Sequence, residues 1–242
     1  MLDVAPDPEM GSPEAWAEDD VVYVRANVSS GIAQLEPAAT ELLVGFWPDT
    51  RVAVDVLGAD GDVLERVQSQ VPAATTGAGA MGQTSPRPCE NTMCWSDELG
   101  ASTDALTWTS TVEESSLAME GTLDGIEFGF FGLVTDDEVT EANPLGGELD
   151  EDQVLRVELL AEILDQAGIL AEEAEEAVPV CQSCCKTGYG LLAGAGIIAA
   201  GACCVAGSGV TGGAACVVCG GAAWEGASAW WDCAWDAECC GG

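Results

Sequence analysis

The chain has 242 residues, 42 of them acidic against six basic, with no histidine and a formal net charge of −36. That length suits one sizeable domain plus a small one. Nucleic-acid binding is disfavoured because phosphate contacts need clusters of Lys and Arg. The absence of His and of a recognisable nucleophile motif argues against an enzyme, and no cofactor or metal is expected. The 48% hydrophobic content argues against acidic disorder. A charge this large fits a protein folded in brine, because screening shortens to about 3 Å at molar salt.

Residues 1–19 form a loose, acidic, proline-containing N-terminus. Its start, Met1 to Asp7, holds no basic region, apolar run or twin arginine, so no export signal is read there. Strands are expected next, at Val21–Val28 and Glu41–Trp47. Val52, Val54 and Val56 alternate with Arg51, Ala53 and Asp55, the period of a half-buried strand. Gly58-Ala59-Asp60-Gly61-Asp62 then turns the chain into Val63–Val67. It is a polar turn and not a calcium loop, since the other ligands of an EF-hand are missing. Residues 72–88 read as a flexible insertion leading to Cys89 and Cys94, which could close a local disulfide or stay as free thiols. Leu117, Met119 and Leu123 alternate with Ala118, Glu120 and Thr122. Asp124-Gly125 then supplies the positive φ angles of a type I′ hairpin into Ile126–Val134. Residues 20–140 are thus expected to form an acidic, antiparallel β-rich domain.

Glu148 to Ala177 has helical period. Val154, Val157, Ala161, Leu164 and Gly168 form one stripe, with Leu160, Ile163 and Ala167 beside it. Asp150, Glu151 and Asp152 suit the positive end of the helix dipole. Gly168 is a candidate break. Glu172, Glu173, Glu175 and Glu176 form a solvated run. Residues 148–178 are therefore an acidic helix and processing linker, ending at Val178, Pro179 and Val180.

Residues 179–242 have the opposite chemistry. Ten of the twelve cysteines lie here: Cys181, Cys184, Cys185, Cys203, Cys204, Cys216, Cys219, Cys233, Cys239 and Cys240. Only four acids and one lysine accompany them, which leaves 38 acids and five arginines before this segment. The segment is too small for a hydrophobic core alone to hold it, so staples are expected. Two C-x-x-C pairs, Cys181/Cys184 and Cys216/Cys219, raise zinc-ribbon and thioredoxin-like readings. The apolar setting, the further cysteines and the lack of a βαβ context favour disulfides over both. Adjacent cysteines on a helix point in different directions and can bond two different neighbours. Cysteines three apart share a face, so each C-x-x-C can anchor one helix to another at two points. Density this high points to an oxidising, extracellular destination. Gly190–Ala206 is long enough to raise a membrane-spanning reading, but its dense glycine and paired cysteines fit a stapled bundle better. Helices are expected near 188–206, 212–223 and 225–238, with a turn at Ser208-Gly209. Trp224, Trp231 and Trp235 fall on one stripe, suited either to a membrane–water interface or to closing the core.

The tail resembles the haloarchaeal microhalocins of the halocin C-eight family. The resemblance rests on Cys181-Gln182-Ser183-Cys184-Cys185-Lys186, the uncharged Gly/Ala/Cys middle and the Asp/Glu/Cys-containing end, about a quarter of the chain. It implies that residues 179–242 are a secreted antimicrobial peptide and that the N-terminal part is its leader or immunity protein. The expected partners are the membrane or a membrane protein of a target cell, a processing protease and, for the N-terminal domain, the peptide itself. The alternative is an envelope protein with a cysteine-rich anchor. The fold class expected is α+β: a small antiparallel β domain, an acidic connecting helix and a small disulfide-stapled all-α C-terminal domain.

Overall fold

The computed structural model describes residues 12–48, 51–70, 89–99, 102–113, 116–136, 138–177, 184–211 and 216–224. Ten strands come first: β1 (Glu14–Glu18), β2 (Val21–Asn27), β3 (Ala39–Phe46), β4 (Arg51–Gly58), β5 (Val63–Gln70), β6 (Cys89–Leu99), β7 (Ser102–Glu113), β8 (Ser116–Leu123), β9 (Ile126–Thr135) and β10 (Glu138–Gly146). A short helix, α1 (Ser30–Leu35), interrupts them between β2 and β3. Two long helices follow, α2 (Glu151–Ala177) and α3 (Cys184–Thr211), and then a helix over 216–224. The strands form two antiparallel meanders, β1 to β5 and β6 to β10, that meet where β5 lies beside β6. The α+β class expected from the sequence is the class observed.

Valine alternation builds the first sheet. Val24, Val44, Val54 and Val67 stand in register across β2 to β5, all buried on the face turned to the core. In the second sheet Met119 pairs with Phe130, and Leu117 and Phe128 are buried on the same face. Asp124 and Gly125 adopt φ of 52° and 79° between the paired residues Leu123 and Ile126, as the hairpin reading requires. A second tight turn of this kind joins β1 to β2. Asp19 and Asp20 hold φ of 49° and 64° between the paired Glu18 and Val21. The stretch read as loose therefore carries a strand at Glu14–Glu18. Aspartate tolerates the left-handed region, so no glycine marks this turn.

The helices are seated on the inner faces of both sheets. α2 packs on β1, β2 and β3, while α3 packs on β8, β9 and β10, and all contribute to one hydrophobic core. Asp150 and Gln153 start α2 with a reciprocal capping box, each backbone N–H donating to the other's side chain at 3.0 and 2.9 Å. The helix does not break at Gly168. A Cβ there would stand 2.6 Å from Leu192 Cγ and 3.0 Å from the Gly188 carbonyl oxygen, so the missing side chain is what lets α3 approach. Buried Gln166 fixes the other side of α2. Its Oε1 accepts from Ser29 N–H at 2.8 Å and its Nε2 donates to the Asn27 carbonyl at 2.6 Å.

Among the described residues, one core position carries an ionisable side chain. Glu65 shares the inward row of Ala26, Leu42 and Val56, and is only 3% exposed. Burial raises its carboxyl above the ordinary 4.5. The charge of Arg156 on α2 opposes that shift and Glu36 adds to it. Folding thus binds a proton on Glu65 in the window above 4.5. The resulting stability is full below the ordinary glutamate range and is lost as pH rises through the raised value. Urea titrations of native protein and Glu65→Gln from about pH 4 to about pH 7 check this. Native stability should fall relative to the variant as pH rises; a constant difference contradicts the assignment.

Candidate functional site

The candidate site is the cross-linked helical pair at the C-terminal end of the described chain. α3 contains no charged residue beyond Lys186, and its Leu191, Ala195, Ile197, Ile198, Ala202 and Cys204 are buried. It lies against α2 at a crossing of small residues. A Cβ on Gly188 would stand 2.8 Å from Ala171 Cβ and 2.9 Å from the Gly168 carbonyl oxygen. One face further round, a Cβ on Gly201 would stand 2.9 Å from the Met119 sulfur of β8. Small side chains on α3 thus bring its backbone close to both α2 and the second sheet.

The 216–224 helix runs back along α3. Two disulfides join them: Cys203–Cys219, with Cα atoms 6.1 Å apart, and Cys204–Cys216, with Cα atoms 4.2 Å apart. The adjacent pair on α3 bonds two neighbours, and those neighbours are one C-x-x-C three residues apart. This is the two-point anchoring that helical geometry allows. Cys216 Sγ also contacts the Cys204 carbonyl at 3.5 Å. Further along, a Cβ on Gly196 would stand 3.8 Å from Ala223 Cα, which places the helices antiparallel. The pair then meets the second sheet, where a Cβ on Gly220 would stand 3.3 Å from Val139 Cγ1 and 3.6 Å from Phe130 Cε2.

α3 does not stop near residue 206. It runs through Ser208 and Gly209 to Thr211, so the expected turn is helix. Gly and Ser disfavour helix only weakly against tertiary contacts, and the bridges at Cys203 and Cys204 clamp the turns just before. Cys184 and Cys185 open α3. Cys89 and Cys94 lie on β6. Trp224 is 9% exposed and belongs to the core, so in the intact chain it meets protein and not solvent. Cys181, Cys233, Cys239, Cys240, Trp231, Trp235, the 225–238 helix, the 72–88 insertion and the Val178-Pro179-Val180 junction lie outside the described residues. Among the described residues no helix is long and apolar enough to cross a membrane. Sequence reasoning missed the glycine crossing and the buried Glu65. The latter was signalled by parity alone, since Glu65 stands two residues before the inward Val67. No family model, curated protein or solved structure matches the chain.

Proposed function

We propose that the chain is the precursor of a disulfide-stabilised antimicrobial peptide similar to the halocin C-eight family. Residues 179–242 are the peptide and the preceding part is its leader or immunity protein. The observation that carries this reading is the pattern of connection. Both described bridges join α3 to the 216–224 helix, and neither links them to the β-rich part. Among the described residues the pair packs on apolar side chains, Met119, Phe130 and Val139 of the second sheet and Ala171 of α2. A cut near Val178-Pro179-Val180 would therefore leave a cross-linked unit with no covalent tie across these contacts. The same packing supports an N-terminal part that binds the peptide and keeps its apolar surface from other membranes.

The test is protection. Residues 1–178 expressed in a sensitive strain should prevent killing by the peptide, and full sensitivity of that strain contradicts the immunity role. For the peptide, the mechanism proposed is insertion of its tryptophans into the membrane interface of related salt-loving cells. Trp224 is buried in the intact chain, so its replacement would weaken the precursor as well. Trp231→Ser combined with Trp235→Ser is the cleaner variant. It should lose killing while its disulfide mass is unchanged; undiminished killing contradicts membrane insertion.

A further inference from the structure

The two bridges between α3 and the 216–224 helix are chemically unequal. Cys204 and Cys216 are both 0% exposed and lie inside the hydrophobic core. Cys219 is 8% exposed, whereas its partner Cys203 faces solvent. Thiol–disulfide exchange needs a thiolate to reach a sulfur, so access decides which bridge reacts and at which atom. Only one of these four sulfur-bearing residues is open to such an approach.

We propose that Cys203 is a thiol-exchange site, making Cys203–Cys219 an exchangeable staple beside the permanent Cys204–Cys216. This goes beyond the antimicrobial reading and does not depend on it. The step is balanced. An external thiolate bonds to Cys203 Sγ, the Cys203–Cys219 bond breaks, and its electron pair leaves on Cys219 Sγ, which takes a proton from water. A second external thiolate then attacks the mixed disulfide and releases the Cys203 thiolate. Two external thiols are thereby oxidised to one disulfide, and the bridge gains two electrons. The leaving sulfur is nearly buried in a stretch without charged side chains from Thr187 to Trp224. Such surroundings disfavour a thiolate, so Cys219 rests as a thiol, attacks back slowly and leaves the mixed disulfide on Cys203 standing until a second thiol arrives. The reagent class is a small neutral thiol or the exposed cysteine of an exchange catalyst. Anionic thiols are repelled at low salt by a chain of net charge −36.

The experiment uses the full folded chain at molar salt and 2-mercaptoethanol as the probe. Timed samples are alkylated and mapped by mass spectrometry at these four cysteines. The mixed disulfide should appear on Cys203 and the alkyl label on Cys219, with Cys204–Cys216 opening at least about tenfold more slowly. Equal opening of the two bridges, or earlier opening of Cys204–Cys216, overturns the proposal. In Cys204→Ala/Cys216→Ala protein the adduct should still form on Cys203. If that variant fails to fold, the same site-resolved rates in the native chain decide the matter.

Discussion

Gly188→Leu is expected to cost the folded chain about 3 kcal/mol, because nothing at the α2–α3 crossing can give way. Even a Cβ at this position would press on Ala171 Cβ at 2.8 Å and on the Gly168 carbonyl at 2.9 Å. Both are held by α2, and the carbonyl is backbone. The opposing term is helix propensity, worth about 1 kcal/mol in favour of replacing a glycine inside a helix. Overpacking exceeds it here and should not do so at Gly196, whose Cβ would find its nearest neighbours at 3.8 and 3.9 Å. Gly196→Ala is therefore expected to stabilise, in the same helix, while Gly188→Leu destabilises. Urea unfolding in molar salt measures both. Neutral or stabilising behaviour of Gly188→Leu would mean that α3 does not cross α2 this closely.

The second large effect concerns the inner bridge. Cys204→Ala combined with Cys216→Ala should lose about 2–4 kcal/mol, because two fully buried sulfur atoms are replaced by cavity in the core. Its cysteines are separated by 12 residues in sequence, and those of the outer bridge by 16. The outer bridge encloses the inner one. With either bridge formed, the other restricts the unfolded chain only slightly further, so the entropy term is small in both double variants. Cys203→Ala combined with Cys219→Ala should cost about 1 kcal/mol or less, because Cys203 is exposed and its truncation leaves no enclosed cavity. Unfolding of the two double variants side by side checks the order. A larger loss from the outer pair contradicts the buried-cavity account.

These effects mark where the sequence is transparent and where it is not. The Val52, Val54, Val56 alternation and the Asp124-Gly125 turn are local signals, and both appear in the fold as expected. The adjacent cysteines and the C-x-x-C spacing likewise foretell two-point stapling, although not the partners. β1 escaped notice because its turn is made by Asp19 and Asp20, which carry no glycine signal. Gly168 and Ser208-Gly209 misled for the opposite reason. Weak local preferences for breaking a helix are overridden there by close packing on α3 and by the bridges. The burial of Trp224 and the seating of α3 on the second sheet join residues far apart in the chain. Composition, which divides the chain sharply near residue 178, gives no sign that the two chemistries share one core.

That shared core fits the proposed precursor, in which a helix whose one charge is Lys186 would need cover until the peptide is released. The intact mass of material in the supernatant of producing cells tests this most directly. The account predicts a peptide of the cysteine-rich segment that begins near Val178-Pro179-Val180. On this account all ten of its cysteines pair, so it should be ten hydrogens lighter than its reduced form. Finding only the uncleaved chain, retained on the cells, would contradict it and favour an envelope protein with a cysteine-rich anchor.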